Sequence, residues 1–414
     1  MLERCFEDWL IKGGAQTNAI RSASFPGDLR GVEAVGTIQS GDILITLPEK
    51  LLLSTSAARA SLQFYLSLNN SGPLTSLQVL AAFLLYELSK GAKSFWYPYL
   101  RSLPTSYTCL SYFSAEEAEQ LQVEHAQAVA LAARQEVKRS HSAIKPLLVS
   151  LGVPEKYQSL AAARWALATL SSRTMYLEGD NAGVLMPFGD LHNHSPPPGP
   201  QLPDLGIDVA EIARFGDDLE HSMHGDGSFD KEAGVYRLYA RCRYEPGDQV
   251  FLCYGAHSNL DLLEHYGFVL ESNPHDAALL PVEALPDSQL RAGVEQKECW
   301  LHPCGIPSWD LLRVLRIWAA LQLGQGKEKH AAIEGRRVSK ESEALAMSTL
   351  KAACLHSLDN FSTTAERDQQ LLENASQGAK LSEHELLAIK WRWLYKTSLM
   401  NAVDIAQSVA DNCK

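Results

Sequence analysis

The pattern that most restricts this chain is an interrupted one. Residues 19–25 alternate roughly, short runs rich in β-branched residues occupy 31–38 and 42–47, and strand-like texture returns only at 183–186, 234–242 and 249–253. Between them the period changes. Leu77, Leu80, Ala81, Leu84 and Leu88 recur at helical spacing until Gly91, and residues 160–170, with Trp165, repeat it. Ser114 and Glu117 form a capping box that predicts a long polar helix reaching about Arg139, packed by one narrow stripe. The chain therefore reads as α+β, with a unit of short strands split by a helical insert.

Turn chemistry marks the joints. Pro26-Gly27-Asp28, Ser40-Gly41 and Pro246-Gly247-Asp248 separate strands, and Gly13-Gly14 ends an opening amphipathic helix carrying Phe6, Trp9 and Leu10. Residues 204–232, with Gly216-Asp217-Asp218 and Gly225-Asp226-Gly227, read as an acidic surface loop, and the proline run 195–200 as a path to the surface. After Asn273-Pro274 helices take over. Ser308 starts one bearing Leu311, Leu312, Leu315 and Trp318, Ser382 with Glu385 caps the last, and 324–339 reads as a polar loop between helices. The expected divisions are 1–75, 76–172, 173–272 and 273–414. No GxGxxG follows a strand, so a dinucleotide fold has no positive support.

Composition narrows the partners. A formal charge of −12 over 414 residues opposes general attraction to nucleic-acid phosphates and anionic membranes and suits a protein partner. The eight cysteines form no CxxC, so core or loop thiols in a reducing compartment are expected rather than disulfides or a zinc knot. His221 and His224 lack a third ligand and read as solvated side chains; no metal is expected. The longest apolar run, 79–85, is far short of the ~20 residues that span a bilayer. An acidic N-terminal segment does not indicate organelle import, so cytoplasm or nucleus is the expected compartment.

Three segments carry the chemistry: Asp28-Leu29-Arg30-Gly31-Val32; Asp190-Leu191-His192-Asn193-His194-Ser195; and Tyr254-Gly255-Ala256-His257-Ser258-Asn259, closing with Tyr266-Gly267-Phe268. In this order, with helices between the first two, they closely resemble the SET-domain methyltransferases, in the branch typified by the Rubisco large-subunit lysine methyltransferase. The resemblance runs from about Ile20 to Phe268, and the helical tail fits that branch's substrate-binding domain. It implies a split SET β-fold, an all-α substrate-binding domain, S-adenosylmethionine as methyl donor and a lysine side chain of a non-histone protein as acceptor. It further implies a monomer that docks its protein substrate on the SET and C-terminal helical domains.

Residue by residue, the resemblance implies Tyr254 as the catalytic tyrosine, with Tyr266 lining the acceptor channel. Asn193 and His194 match the cofactor-contacting pair, Arg173 the arginine near the cofactor's carboxylate end and the substrate, and Asp190 a position bordering substrate. Main-chain groups of Asp28, Leu29, Arg30 and Gly31, together with Tyr254 and Phe268, complete the implied cofactor contacts. Many relatives read Glu-Gly-Leu-Gly where this chain has Asp-Leu-Arg-Gly, so one glycine is missing there.

The chemistry needs these residue types. A sulfonium and an amine must meet in line with water excluded, and the ammonium must first lose its proton. Tyrosine rings exclude water and attract a methylated ammonium while their hydroxyls orient the amine. Each residue also has a plain reading: Tyr254 as a half-buried core ring, Asp190 as a turn cap, Arg173 as a solvated helix-end charge. Two other functions stay open. One lineage of the branch methylates histidine, but it carries an asparagine and a tryptophan where this chain has Met175 and Gly189. The other is a catalytically quiet SET-fold binding module.

Overall fold

The computed structural model describes residues 2–26, 29–67, 72–196, 226–334 and 336–413. Asp28, His221, His224 and residues 197–225 of the expected proline run and acidic loop lie outside them. Phe6 and Leu10 bury one face of α1 (Leu2–Lys12), and Gly14, at φ 88°, turns the chain out of the helix. β1 (Ile20–Phe25) and β2 (Leu29–Ala34) form an antiparallel hairpin, and β3 (Ile43–Pro48) follows. β2 stops at Ala34, short of the expected Ile38. Its backbone is handed to the 244–250 segment: Ala34 N–H donates to Asp248 and Ile38 N–H to Tyr244.

The insert is helical. α2 (Thr55–Ser67), α3 (Ser76–Ser89) and α4 (Tyr97–Leu100) precede α5 (Ala115–Glu119), α6 (Glu124–Ser150) and α7 (Leu160–Arg173). The expected long helix from Ser114 is thus two. The Ser114–Glu117 box caps only α5, because Gln122, at φ 58°, leaves helical space before α6 begins. α6 then runs past Arg139 and through Pro146. Ala126, Ala130, Val137, Ile144 and Leu147 form the expected stripe, and its burial outweighs the backbone bond that proline removes.

The strand unit resumes with β4 (Thr174–Leu177), β5 (Asp180–Leu185), β6 (Asn193–His194), β7 (Gly227–Asp230), β8 (Val235–Tyr239) and β9 (Phe251–Leu252). β7 corrects the expected acidic loop over its last residues. Gly227 lets it lie against β8, since a Cβ there would sit 2.6 Å from both Leu238 and Tyr236. β8 and β9 are shorter than the runs that announced them, and a register shift at Leu238/Tyr239 ends β8.

Topology closes the split. β3 lies between Gln16–Thr17 and β8, with β7 outside, so Thr46 faces Arg237 across the whole insert. β5 joins Leu53–Ser54 to β4, and β6 runs parallel to β9, with Asn193 opposite Phe251 and His194 opposite Leu252.

The tail comprises α8 (Trp309–Gln322), α9 (Lys340–Asp359), α10 (Ala365–Ser376) and α11 (Glu383–Asn412), with Ser308 and Ser382 as N-caps. The expected loop 324–339 contains a short helix, Lys329–Ile333, pinned by fully buried Ala332. Two hydrophobic cores result. Leu44, Leu84, Val184 and Val250 belong to the first; Leu315, Met347, Leu350 and Trp391 belong to the second. The second also takes Leu110, Phe113, Leu121 and Ala126, so the middle of the insert packs with the tail, while α3 and the later turns of α6 pack with the strands. Arg392 Nη1 donates to the Gln120 carbonyl at 2.6 Å across that junction.

Candidate active site

The parallel pairing of β6 with β9 brings two distant segments onto one tyrosine. Tyr254 N–H donates to His194 Nδ1 at 3.1 Å, and its hydroxyl donates to the His192 carbonyl at 2.5 Å. Its ring lies between His194 and Tyr266, each stacked at a centroid distance of 4.9 Å. Phe268 closes the group, 6.3 Å from His194 and 6.2 Å from Tyr266. A π-helical turn over Leu262–Tyr266, ended by Gly267 at φ 78°, supplies the second tyrosine.

Burial makes the group electrically neutral. It raises the Tyr254 hydroxyl well above the usual phenol range and pushes Tyr266 up to about 12. It pulls His192 and His194 down to about 4, so both are uncharged at neutral pH. His192 Nδ1 donates to the Gly189 carbonyl at 2.9 Å, and its buried Nε2 has no hydrogen-bond partner among the described residues.

Beside this neutral group lies a buried ion pair. Arg173, at the end of α7, donates from Nη1 to the Asp190 carbonyl at 2.8 Å and to Oδ2 at 3.3 Å. Tyr99 from α4 donates its hydroxyl to the same Oδ2 at 2.9 Å. The Asp190 side chain is only 2% exposed. Its Oδ1 and the Arg173 Nε have no hydrogen-bond partner among the described residues. Burial raises the Asp190 carboxyl despite Arg173; at Arg173 burial disfavours the charge, but Asp190, Tyr107 and Tyr99 together outweigh it and keep the guanidinium protonated. Arg173, Met175, Asp190, His192, Tyr254 and Tyr266 line one cavity.

The first segment meets the second on the other side of β6. Asn193 Nδ2 donates to the Arg30 carbonyl at 3.1 Å. A Cβ on Gly31 would come within 2.8 Å of Asn193 Nδ2 and 2.6 Å of Gln249 Nε2, and that buried Gln249 nitrogen has no partner among the described residues. A close backbone approach edged by an unsatisfied amide suits a polar ligand. Leu29 is half exposed beside it.

The structure therefore gathers Arg30, Gly31, Asn193 and His194 at one locus, and Arg173, Asp190, Tyr254 and Tyr266 at the adjoining cavity. Arg173 differs from its expected part in that Asp190 already holds its Nη1. Sequence reading missed Tyr99, His192 and Gln249. Tyr99 sits in an aromatic run with nothing local to link it to Asp190, whereas His192 lies inside a quoted motif and was the more accessible signal.

The chain is 35% identical over 363 residues to Protein SET DOMAIN GROUP 40 of Arabidopsis thaliana, covering 86% of this chain and 73% of that protein. It belongs to the SET-domain methyltransferases. The Rubisco LSMT substrate-binding family matches residues 282–397 of this SET-domain chain, which fall in its helical tail. An actin-histidine N-methyltransferase of Xenopus tropicalis is 24% identical, over 98% of this chain and 67% of its own. Among solved structures, the SET domain of LSMT bound to lysine and AdoHcy superposes with a TM-score of 0.65 at 20% identity, covering 100% of this chain and 92% of that one. At that identity the match establishes the fold.

Proposed function

We propose that the chain transfers a methyl group from S-adenosylmethionine to a lysine side chain of another protein. The observation that carries this reading is the Tyr254 arrangement: a neutral, stacked phenol whose proton is committed to the His192 carbonyl. Its oxygen lone pairs are then free to accept an N–H from an amine and aim the nitrogen lone pair. Tyr266, Met175 and Tyr254 exclude water and favour the uncharged amine.

When bound, S-adenosylmethionine supplies an electrophilic methyl on a sulfonium. The Arg30–Gly31 backbone, Asn193, Gln249, His194 and Phe268 would hold it, and the free Nε of Arg173 is suited to its carboxylate. Relatives crystallised with AdoMet and AdoHcy support that choice.

Histidine is the second reading, favoured by the actin-histidine relatives. The cavity argues for lysine. Met175 offers no hydrogen-bond donor to a ring nitrogen, and Gly189 carries no side chain that could contact a ring.

Purified protein incubated with labelled S-adenosylmethionine and a cell extract, followed by mass mapping, tests this. Expected is label on lysine that falls ~10²–10³-fold in Tyr254→Phe, in line with loss of one oriented hydroxyl, with calorimetric cofactor binding retained. Label confined to histidine overturns the acceptor assignment. Absence of both label and cofactor binding leaves a SET-fold binding module.

A further inference from the structure

The inner cavity adjoins a larger hollow whose walls include Tyr176, Leu177, Glu178, Phe229 and Lys231. The two share Tyr176, Gly227, Cys253 and Tyr254. A polypeptide that delivers one side chain to Tyr254 therefore places its neighbouring residues in the outer hollow. The walls are strands at sheet edges: β4 ends the Leu53–Ser54/β5/β4 sheet, and β7 ends the sheet containing β3 and β8. Edge strands offer free backbone groups to an extended segment, along which side chains advance by ~3.3 Å per residue.

The chemistry of the walls is selective. Tyr176 is 74% exposed, and its carbonyl accepts from the Tyr236 hydroxyl at 2.8 Å, which anchors the backbone that presents the ring at the mouth. Phe229, half buried against the first core, offers a second ring. The charges at the rim cancel, because Lys231 and Glu178 pair with each other at 2.7 Å. Among the described residues no unpaired charge lines the hollow, and two aromatic rings with Leu177 favour an apolar neighbour.

We infer that the outer hollow reads the residues flanking the acceptor, selecting an apolar or aromatic side chain within two positions of it. This rests on the inner cavity being the acceptor channel. Mapping the sites labelled in extract, then assaying synthetic peptides centred on them, tests it. Expected are sites with an apolar residue within two positions, a KM raised about tenfold in Tyr176→Ala and in Phe229→Ala, typical of losing an aromatic anchor, and a similar rise when that residue becomes serine. Phe64→Ala, exposed on α2 far in sequence from both hollows, is the control and leaves KM unchanged. Unchanged KM in both wall variants, or mapped sites flanked by charged residues, overturns the inference while leaving methyl transfer intact. No labelling by the wild-type enzyme overturns the methyltransferase reading itself.

Discussion

Two buried carboxylates of this protein, Asp368 and Asp190, are treated in opposite ways. Asp368, between α10 and α11, accepts from Arg392 Nε and Nη2 at 3.0 and 2.7 Å, from Thr363 at 2.8 Å and from Lys396 at 2.5 Å. Burial alone would raise its carboxyl, but these donors outweigh burial and hold it below the ordinary range. Asp190 receives Tyr99 and Arg173 on Oδ2, keeps Oδ1 without a partner among the described residues, and is raised. A buried charge with both oxygens engaged is scaffold, whereas one with a bare oxygen on a cavity wall is poised to meet a ligand. Asp368 also stabilises the junction, since its partner Arg392 reaches back to Gln120 of the insert.

The largest expected effect follows from removing the satisfied acid. Asp368→Ala leaves Arg392 and Lys396 buried without a counter-charge and should cost about 3–5 kcal/mol in urea denaturation, with methyl transfer per folded molecule unchanged; equal stability would erase the distinction. Asp190→Asn should do the reverse. Transfer falls about 10²-fold, the scale of one preorganised electrostatic contact, while denaturation shifts by about 1 kcal/mol. A larger stability loss there than in Asp368→Ala would make Asp190 structural.

Tyr99→Phe removes one donor from Asp190 and should cost about 1.5 kcal/mol, the low end for a hydrogen bond to a charged group. The smallest effect is in the acid limb of stability. Because the folded Asp368 carboxyl lies below its unfolded value of about 3.9, its contribution is present above that pH and lost as pH falls through the depressed value. The wild-type limb should therefore be steeper there than that of Asp368→Ala.

How well sequence reading performed depended on range. Caps and periods act within a few residues, so α3, α8 and α11 stood where Gly91, Ser308 and Ser382 placed them. It failed where a partner decided. β7 exists because Gly227 fits against Tyr236 and Leu238, and the Ser114 box caps a single turn because Gln122 bends away. At the site, Tyr254, Tyr266, Asn193 and His194 were legible through motif order. Tyr99 was not, because its partner lies 91 positions away.

The order of segments in the chain was enough to set the class of fold, the family and the residue types available for methyl transfer, because periodicity, turn chemistry and motifs are written locally. The pairing of β6 with β9, the commitment of the Tyr254 proton to the His192 carbonyl and the bare oxygen of Asp190 come from contacts between distant segments. Burial and hydrogen-bond geometry, which set charge state and direction, exist only once those segments have met.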